Sequence, residues 1–180
     1  EFYFMISYKN KKFIKYISNE QIKIKILSIV KSLNIYYKSK DLVILCVLNG
    51  SVILLSELLK GIKCDYTLDY IELSSYKGGT KTSGSIEIIQ DIKVNLENKH
   101  VLIIEDIVDS GTTLNYLYKK INKMKPKDIK TFTLLFKKCK YKFNIEINWY
   151  GFTVEDLFVI GYGMDYNFKF RGLKDIYCLA

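Results

Sequence analysis

One stretch near the middle of the chain, residues 101–113 with the sequence VLIIEDIVDSGTT, combines residue types that can bind a phosphorylated ligand. It opens with an apolar run that predicts a buried strand. We expect the adjacent acids Glu105 and Asp106 where this strand ends, followed by a loop of small and hydroxyl residues that leads into a helix. Such a loop presents backbone N–H groups and a helix N-terminus to an anion. Carboxylates beside an anion site indicate a ligand that also carries hydroxyl groups or a cation, as a sugar phosphate does.

The composition limits the classes of protein to which the chain can belong. The 180 residues predict a single domain over 1–180 with a substantial core, and a hydrophobic content of 49% excludes a disordered chain. The longest unbroken apolar run, Leu42–Leu48, is too short to cross a bilayer, so we expect a cytoplasmic protein. The net charge of +9 allows a polyanionic partner, but codon bias toward lysine would produce the same charge, so charge alone does not indicate nucleic-acid binding.

The cysteine and histidine content argues against a zinc site and against a disulfide framework. Four cysteines accompany a single histidine, His100, and none of them is paired at the spacing of metal ligands. Cys46 lies in an apolar run, where it is expected to act as a small buried hydrophobic residue.

Apolar periodicity and turn residues predict alternating strands and helices. A capping box at 18–21 precedes apolar residues at helical spacing from Ile22 to Leu33, although Ile22, Ile24 and Ile26 also alternate as in a strand. Further helices are predicted over 52–60 and 114–124, and strands over 42–48, 66–74, 101–104, 130–136, 149–152, 157–161 and 176–179, with another beginning at Ile86. This order predicts an α/β fold with a mainly parallel sheet, whose ligands bind beyond the carboxyl ends of the strands.

The motifs resemble those of a known family. Residues 101–113 resemble the phosphoribosyl-diphosphate-binding signature of the type I phosphoribosyltransferases. Three more segments are similar to the hypoxanthine-guanine branch in its short bacterial-type form: the first pyrophosphate loop at 47–51, the lid at 74–84, and the purine-binding and C-terminal region at 156–173. The likeness covers almost the whole chain in the correct order. It implies the type I phosphoribosyltransferase fold, a mainly parallel central sheet flanked by helices with a small hood and a flexible lid loop.

The resemblance implies a reaction as well. In this family N9 of a purine displaces pyrophosphate from C1′ of 5-phosphoribosyl 1-diphosphate, through a transition state that resembles an oxocarbenium ion. For this branch the base is a 6-oxopurine, hypoxanthine or guanine, and the products are IMP or GMP. The implied cofactor is Mg²⁺, which screens the leaving group, and the implied assembly is a homodimer or homotetramer.

Roles follow from the resemblance for residues 101–113. Asp109 is implied to be the general base near purine N7, where a carboxylate can accept or share the purine proton. Glu105 and Asp106 are implied to meet the ribose 2′- and 3′-hydroxyl groups directly or through magnesium, and Asp165 to bind a second magnesium through water. The 5′-phosphate is implied to be held by the loop residues Ser110, Gly111, Thr112 and Thr113.

Residues further along the chain are implied to bind the base and the pyrophosphate. Lys137 resembles the lysine that donates to the purine 6-oxo group and so rejects 6-amino purines, because an ammonium has no acceptor. The adjacent Lys138 is the other possibility. Phe158 is implied to stack on the purine, with backbone groups of Val159 at the base edge. Arg171 is implied to grip pyrophosphate with bidentate geometry.

Two loops complete the implied site. Leu48, Asn49 and Gly50 are implied to donate backbone N–H groups to pyrophosphate, in a turn that often contains a non-proline cis peptide in the family. Many members carry a basic residue where this chain has Asn49, so this chain lacks that charge. Ser75 and Tyr76 are implied to close over the site and exclude water.

Two other functions stay open from the sequence. The first is a regulator with the same fold that senses phosphoribosyl diphosphate and binds nucleic acid, which only the net charge of +9 favours. The second is a phosphoribosyltransferase for another base. Against both, the purine-site segment with Lys137 and the 158–165 pattern is present in full, so nucleic acid is not the expected partner.

Overall fold

The structure, a computed structural model, describes residues 5–75 and 86–180. Residues 76–84 of the predicted lid segment, which include Tyr76, lie outside the described residues. The elements in chain order are β1 Met5–Tyr8, β2 Lys11–Ile17, α1 Asn19–Tyr36, β3 Leu42–Leu48, α2 Val52–Leu59, β4 Tyr66–Ser75, β5 Ile86–Gln90, β6 His100–Val108, α3 Thr112–Asn122, β7 Asp128–Phe136, β8 Trp149–Thr153, β9 Val159–Ile160 and β10 Ile176–Leu179.

A six-stranded sheet forms the centre of the molecule, with strand order β5-β4-β3-β6-β7-β8. All neighbouring pairs are parallel except β4 and β5, so the predicted mainly parallel α/β sheet is confirmed. Alternate residues of β3 face opposite layers, because successive side chains of a strand point to opposite faces. Ile44 and Cys46 pack with α1 and α2, whereas Val43 and Leu45 pack with α3.

Helix α1 shows why the helical pattern prevailed over the alternating one near its start. The Ser18 hydroxyl accepts from the Gln21 N–H at 3.3 Å, and the Gln21 side chain accepts from the Ser18 N–H at 2.9 Å, which is the predicted capping box. Ile22 and Ile26 are buried, while Ile24 is 70% exposed. The helix therefore buries only the residues at helical spacing.

A second, four-stranded antiparallel sheet joins the two ends of the chain in the order β1-β2-β10-β9. This sheet is the small hood that the resemblance implied. Strands β1 and β2 were not predicted from the sequence, because lysines interrupt their apolar pattern. Phe13 of β2 is buried against Ile160 and Tyr177, so this sheet is stabilised by partners far away in the chain.

One predicted boundary needs correction at the centre of the molecule. Strand β6 was expected to end before Glu105, but it continues to Val108, so Glu105 and Asp106 lie within the strand. The ladder between β6 and β3 ends at Ile104, whereas the ladder between β6 and β7 continues to Val108. Pairing with β7 thus keeps the two acids in an extended backbone beyond the last pairing of β6 with β3.

The other predicted elements lie within a few residues of the observed ones. Helix α3 begins at Thr112 rather than at Leu114, and β9 covers Val159–Ile160 rather than the whole of 157–161. Within the described part of the chain, no helix has both the length and the apolar character needed to span a membrane.

Candidate active site

Three adjoining cavities lie at the carboxyl ends of β3, β6 and β7. We name them by the elements that bound them. The hood cavity, of about 240 Å³, lies between β6, β7 and the β9 region; the α3 cavity, of about 90 Å³, lies at the start of α3; the loop cavity, of about 330 Å³, lies at the turn after β3. Ile107 lines all three, and Asp106 lines the hood and loop cavities. Most of the predicted site residues therefore line three cavities that share lining residues, whereas Asn49 and Ser75 line none of them.

The hood cavity brings together side chains that are distant in the sequence. Asp109, Lys137, Phe158 and Val159 all line it. The Lys137 ammonium donates to Asp109 Oδ2 at 3.1 Å and to Asp156 Oδ1 at 3.2 Å.

The structure distinguishes the two adjacent lysines that the sequence left as alternatives. Lys137 is buried and lines the hood cavity, while Lys138 is exposed. Lys137 directly follows the end of β7, and its backbone N–H donates to the Val108 carbonyl at 2.9 Å. This bond holds the lysine beside the loop that carries Asp109.

Two charged residues to which the sequence pattern assigned no role, Lys140 and Asp156, lie outside the lining of the hood cavity and pair with its lining residues Asp109 and Lys137. The Lys140 ammonium lies 3.3 Å from Asp109 Oδ1 and 2.9 Å from Asp156 Oδ1. The ion pair with Asp156 raises the pKa of Lys140, and the ion pairs with Lys140 and then Lys137 hold the pKa of Asp156 below its usual range. Asp156 is the first residue of the 156–173 segment but received no role from the sequence, and no pattern marked Lys140, because charged residues are abundant and the loops meet only in the folded chain.

Phe158 supplies an aromatic surface to the same cavity. Its ring is 46% exposed and packs edge-to-face on Tyr166, with 5.7 Å between the ring centroids. Val159 is buried and pairs with Cys178 in the hood sheet. The hood thus holds the Phe158 ring at the cavity wall while leaving part of it open to a planar ligand.

The α3 cavity is lined by Asp109 and the four loop residues predicted to hold a phosphate: Ser110, Gly111, Thr112 and Thr113. Gly111 has a φ of 83°, and a Cβ there would overlap the Tyr141 ring. Glycine is therefore required both for its conformation and for the close packing. The start of α3 directs N–H groups and the positive end of the helix dipole into this cavity, an arrangement that favours an anion.

Glu105 and Asp106 form what we term the acid pair. Glu105 is buried and Asp106 is half-buried, and residues 5–75 and 86–180 form no ion pair with either carboxylate. Burial, and secondarily the charge of Asp106, raises the pKa of Glu105 well above its usual range. Burial also raises the pKa of Asp106, although its Oδ1 accepts the Ile107 N–H at 2.8 Å. Both acids line the loop cavity, where a cation would relieve their burial.

The turn after β3 carries the predicted pyrophosphate loop. Leu48 and Gly50 line the loop cavity, and the Leu48–Asn49 peptide is cis, as the resemblance implied. A Cβ on Gly50 would overlap the Asp106 carboxylate, so only glycine fits there. The Asn49 amide instead donates to Glu72 Oε1 at 2.9 Å, across to the neighbouring strand β4.

Asp165 and Arg171 lie between the hood and loop cavities and line both. Arg171 Nη2 lies 2.7 Å from Asp165 Oδ1, and Arg171 Nη1 donates to the Gly163 carbonyl at 2.6 Å. Asp165 Oδ2 also accepts the Phe168 N–H at 2.8 Å. The roles predicted for both residues, in magnesium and pyrophosphate binding, stay predictions.

Of the predicted lid segment, 74–84, the structure describes only the first two residues. Ser74 lines this cavity, and Ser75 ends β4. Tyr76 lies outside the described residues, so its role stays a prediction.

The geometry defines an α/β protein with a group of polar cavities, one of them at a helix N-terminus, along the carboxyl edge of its sheet. The family described as phosphoribosyl transferase domain matches residues 15–167. The hypoxanthine-guanine-xanthine phosphoribosyltransferase of Tritrichomonas foetus is 38% identical over 160 residues, covering 88% of this chain and 87% of its own. A hypoxanthine phosphoribosyltransferase structure from Staphylococcus aureus matches with a TM-score of 0.86 at 36% identity, covering 92% of this chain and 90% of that one.

A third solved structure, hypoxanthine phosphoribosyltransferase of Trypanosoma cruzi with its product IMP, has a TM-score of 0.86 at 31% identity and covers 100% of this chain and 97% of that one. This chain belongs to the phosphoribosyltransferase family, in its hypoxanthine-guanine branch. The family and fold predicted from the motifs are therefore confirmed. The chain spans about a quarter of the length of the bifunctional TilS/HprT proteins of Listeria, to which it is 38% identical over 160 residues.

Proposed function

We propose that the chain is a purine salvage enzyme, which transfers the 5-phosphoribosyl group from 5-phosphoribosyl 1-diphosphate to N9 of hypoxanthine or guanine. The products would be IMP or GMP and pyrophosphate. The observation that carries this proposal is the position of Lys137, buried at the wall of the hood cavity beside Asp109 and Phe158. The structural relative from Trypanosoma cruzi is described with its product IMP, which supports the same base class.

The ribose and its phosphates would extend across the other two cavities. The 5′-phosphate would accept N–H and hydroxyl donors at the start of α3, where Thr112 and Thr113 are exposed. The ribose hydroxyl groups would donate to Glu105 and Asp106. Pyrophosphate would lie in the loop cavity against backbone N–H groups of 48–50 and the Arg171 guanidinium.

The base would bind through one donor, one acceptor and one aromatic face. Lys137 would donate to the 6-oxo group, and this contact rejects adenine because an ammonium cannot accept from an amino group. Asp109 would hold or accept the proton at N7 while N9 forms the bond to C1′. Phe158 would stack on the ring and help exclude water from the reacting atoms.

We include Mg²⁺ in the proposal because the acid pair fits it. Magnesium prefers carboxylate and phosphate oxygens, and among the described residues no cation pairs directly with either carboxylate, since Arg171, which lines the same cavity, pairs with Asp165 instead. The described residues hold no group of three or more metal-ligating side chains, so oxygens of the substrate and water would complete the shell. Bound there, the ion would screen the charge of the leaving pyrophosphate.

A homodimer or homotetramer in the cytoplasm also belongs to the proposal. Helix α1 leaves Leu27 and Ile35 61% and 78% exposed, and such apolar side chains are commonly covered in assemblies. Light scattering in solution would measure the mass of the particle directly.

Pyrophosphate release tests the proposed activity. The purified chain would be mixed with magnesium and phosphoribosyl diphosphate, and with hypoxanthine, guanine, xanthine, adenine or uracil in turn. Turnover with 6-oxopurines but with neither adenine nor uracil is the expected result. Binding of phosphoribosyl diphosphate without turnover of any base would overturn the salvage proposal and favour the regulator, which would then be tested against RNA.

A further inference from the structure

Four charged side chains at the hood cavity form a closed ring in which cations and carboxylates alternate. Lys137 and Lys140 each pair with both Asp109 and Asp156, at distances from 2.9 to 3.3 Å. We propose that the outer pair, Lys140 and Asp156, positions the inner pair, Lys137 and Asp109, and so sets how tightly the 6-oxopurine is held and how freely Asp109 takes its proton. The inference rests on the proposed function and adds two positioning residues to it.

Burial separates the ring into an inner and an outer part. The Lys137 side chain is 8% exposed, whereas those of Lys140 and Asp156 are 40% and 53% exposed. The pocket walls include Lys137 and Asp109 but neither outer residue. The outer pair therefore acts on the ligand through the inner pair.

The backbone fixes the two lysines relative to each other. The Lys140 N–H donates to the Lys137 carbonyl at 3.0 Å, which closes a turn at the end of β7. Both ammonium groups consequently reach the same two carboxylates from one side. The ring is therefore built by a defined turn and not only by flexible surface side chains.

Donor counting shows what the ring leaves for a ligand. An ammonium carries three N–H groups, and Lys137 directs two of them at Asp109 and Asp156. One N–H remains for the purine 6-oxo group. Asp156 thus limits how completely Lys137 pairs with Asp109, and it orients the lysine toward the cavity.

Charge counting shows why Lys140 is needed. Both oxygens of Asp109 face a cation, Oδ2 toward Lys137 and Oδ1 toward Lys140. Lys140 lies closer to Asp156, at 2.9 Å, than to Asp109, at 3.3 Å. Asp156 therefore competes with Asp109 for Lys140, and Asp109 Oδ1, which is buried, accepts no hydrogen bond from the described residues.

Single and double substitutions test this coupling. In Asp156→Asn two lysines face the single carboxylate Asp109, so we expect kcat to fall about tenfold, which corresponds to a coupling of about 1.4 kcal/mol. In Lys140→Met two carboxylates compete for Lys137, so we expect the KM for hypoxanthine to rise about tenfold while the KM for phosphoribosyl diphosphate stays unchanged. The double variant has one cation and one carboxylate again and should recover to within about threefold of the wild type.

Controls separate positioning from a general effect on folding. Lys138→Met removes an exposed lysine next in sequence to Lys137, for which residues 5–75 and 86–180 provide no ion pair, and it should leave both KM values and kcat unchanged. Lys140→Arg and Asp156→Glu keep the charges and should restore most of the activity. Equal losses toward both substrates, additive effects in the double variant, or wild-type kinetics in both single variants would overturn the inference.

Equilibrium binding of IMP to the same variants distinguishes this inference from the proposed function. Weaker binding to Lys140→Met that is restored in the double variant supports the positioning role, even if the wild type turns over no base. Equal binding of IMP by all variants overturns it. A wild type that neither binds IMP nor turns over a base contradicts both the inference and the proposed function.

Discussion

Two groups of carboxylates lie a few residues apart on one strand and its loop, yet their surroundings are opposite. The acid pair, Glu105 and Asp106, is enclosed at the loop cavity without an ion pair from the described residues, and burial raises both pKa values. Asp109 instead belongs to a ring with two lysines and Asp156. The difference teaches that the same residue type can be placed in opposite electrostatic surroundings, and in the proposed function these suit different partners: a cation and sugar hydroxyls for the acid pair, and a proton of the purine for Asp109.

The largest expected effect comes from removing the charge of Asp109. Asp109→Asn keeps the shape but loses the carboxylate, so we expect kcat to fall by about 10² to 10⁴, the usual contribution of a general base. Pyrophosphate release under saturating substrates measures this loss. A variant with kcat within about twofold of the wild type would show that Asp109 is not the base.

The next effect concerns the acid pair. Glu105→Gln with Asp106→Asn removes the charges that would hold Mg²⁺, so we expect kcat/KM for phosphoribosyl diphosphate to fall roughly tenfold to a hundredfold. Thermal unfolding supplies an independent readout, because magnesium should raise the Tm of the wild type and not that of the variant. Equal stabilisation of both proteins by magnesium would place the ion elsewhere.

Removing Lys137, the inner lysine of the ring, should weaken the binding of the purine and leave the binding of phosphoribosyl diphosphate unchanged. Lys137→Met loses a charge-assisted hydrogen bond worth about 1.5 to 3 kcal/mol, so we expect the KM for hypoxanthine to rise by about tenfold or more. The KM for phosphoribosyl diphosphate should not change, since the lysine lies at the hood cavity. The neighbouring exposed Lys138→Met is the matched control, and an equal effect of the two substitutions would contradict the assignment.

Adding a cation near the acid pair would bring a positive charge to the carboxylates of the loop cavity, as the lysines do in the ring. Asn49→Lys places an ammonium where the amide now donates to Glu72, and an exposed ion pair of this kind is worth up to about 1 kcal/mol. We expect the KM for phosphoribosyl diphosphate to fall about threefold, because the added charge attracts the diphosphate. Asn49→Gln is the neutral control, and a rise in KM would mean that the amide itself is required.

The smallest effect is a difference in titration between the two groups in metal-free protein. Burial raises the pKa of Glu105, while the ion pairs with Lys140 and then Lys137 lower the pKa of Asp156. Protonation of Glu105 therefore stabilises the fold below its unfolded pKa of about 4.3, and this contribution is lost as the pH rises through the folded pKa. Asp156 has the opposite effect. Its ion pairs stabilise the fold at pH values above its unfolded pKa of about 3.9, and this contribution is lost as the pH falls through its folded pKa.

Carboxyl ¹³C NMR can measure both titrations in one sample. Glu105 should take up its proton at a higher pH than Asp156, and Glu105→Gln should flatten the dependence of the free energy of unfolding on pH above the unfolded pKa of Glu105. Coincident titration of the two residues would remove the distinction between the acid pair and the ring.

Local sequence patterns were sufficient where neighbouring residues decide the structure. The capping box predicted the start of α1, and the apolar run predicted β3 as Leu42–Leu48, the range observed. The loop after β6 was likewise predicted from small residues and hydroxyls, because glycine conformation and helix N-termini are properties of adjacent residues. These short-range rules were enough to locate the anion site at the start of α3.

Long-range pairing decided the rest. The extension of β6 to Val108 depends on β7, and the hood depends on strands from both ends of the chain. The sequence assigned no role to Asp156 or Lys140, because their ion pairs with Lys137 and Asp109 form only in the folded chain.

By itself, then, the sequence determined the family, the order of the elements after β2, and most of the residues that line the carboxyl edge. Only the tertiary structure decided which lysine lines the hood cavity, which carboxylates have counter-ions, and where Asn49 directs its amide. The physical reason is that backbone conformation is set largely by neighbours in sequence, whereas burial and charge pairing depend on residues that meet in space.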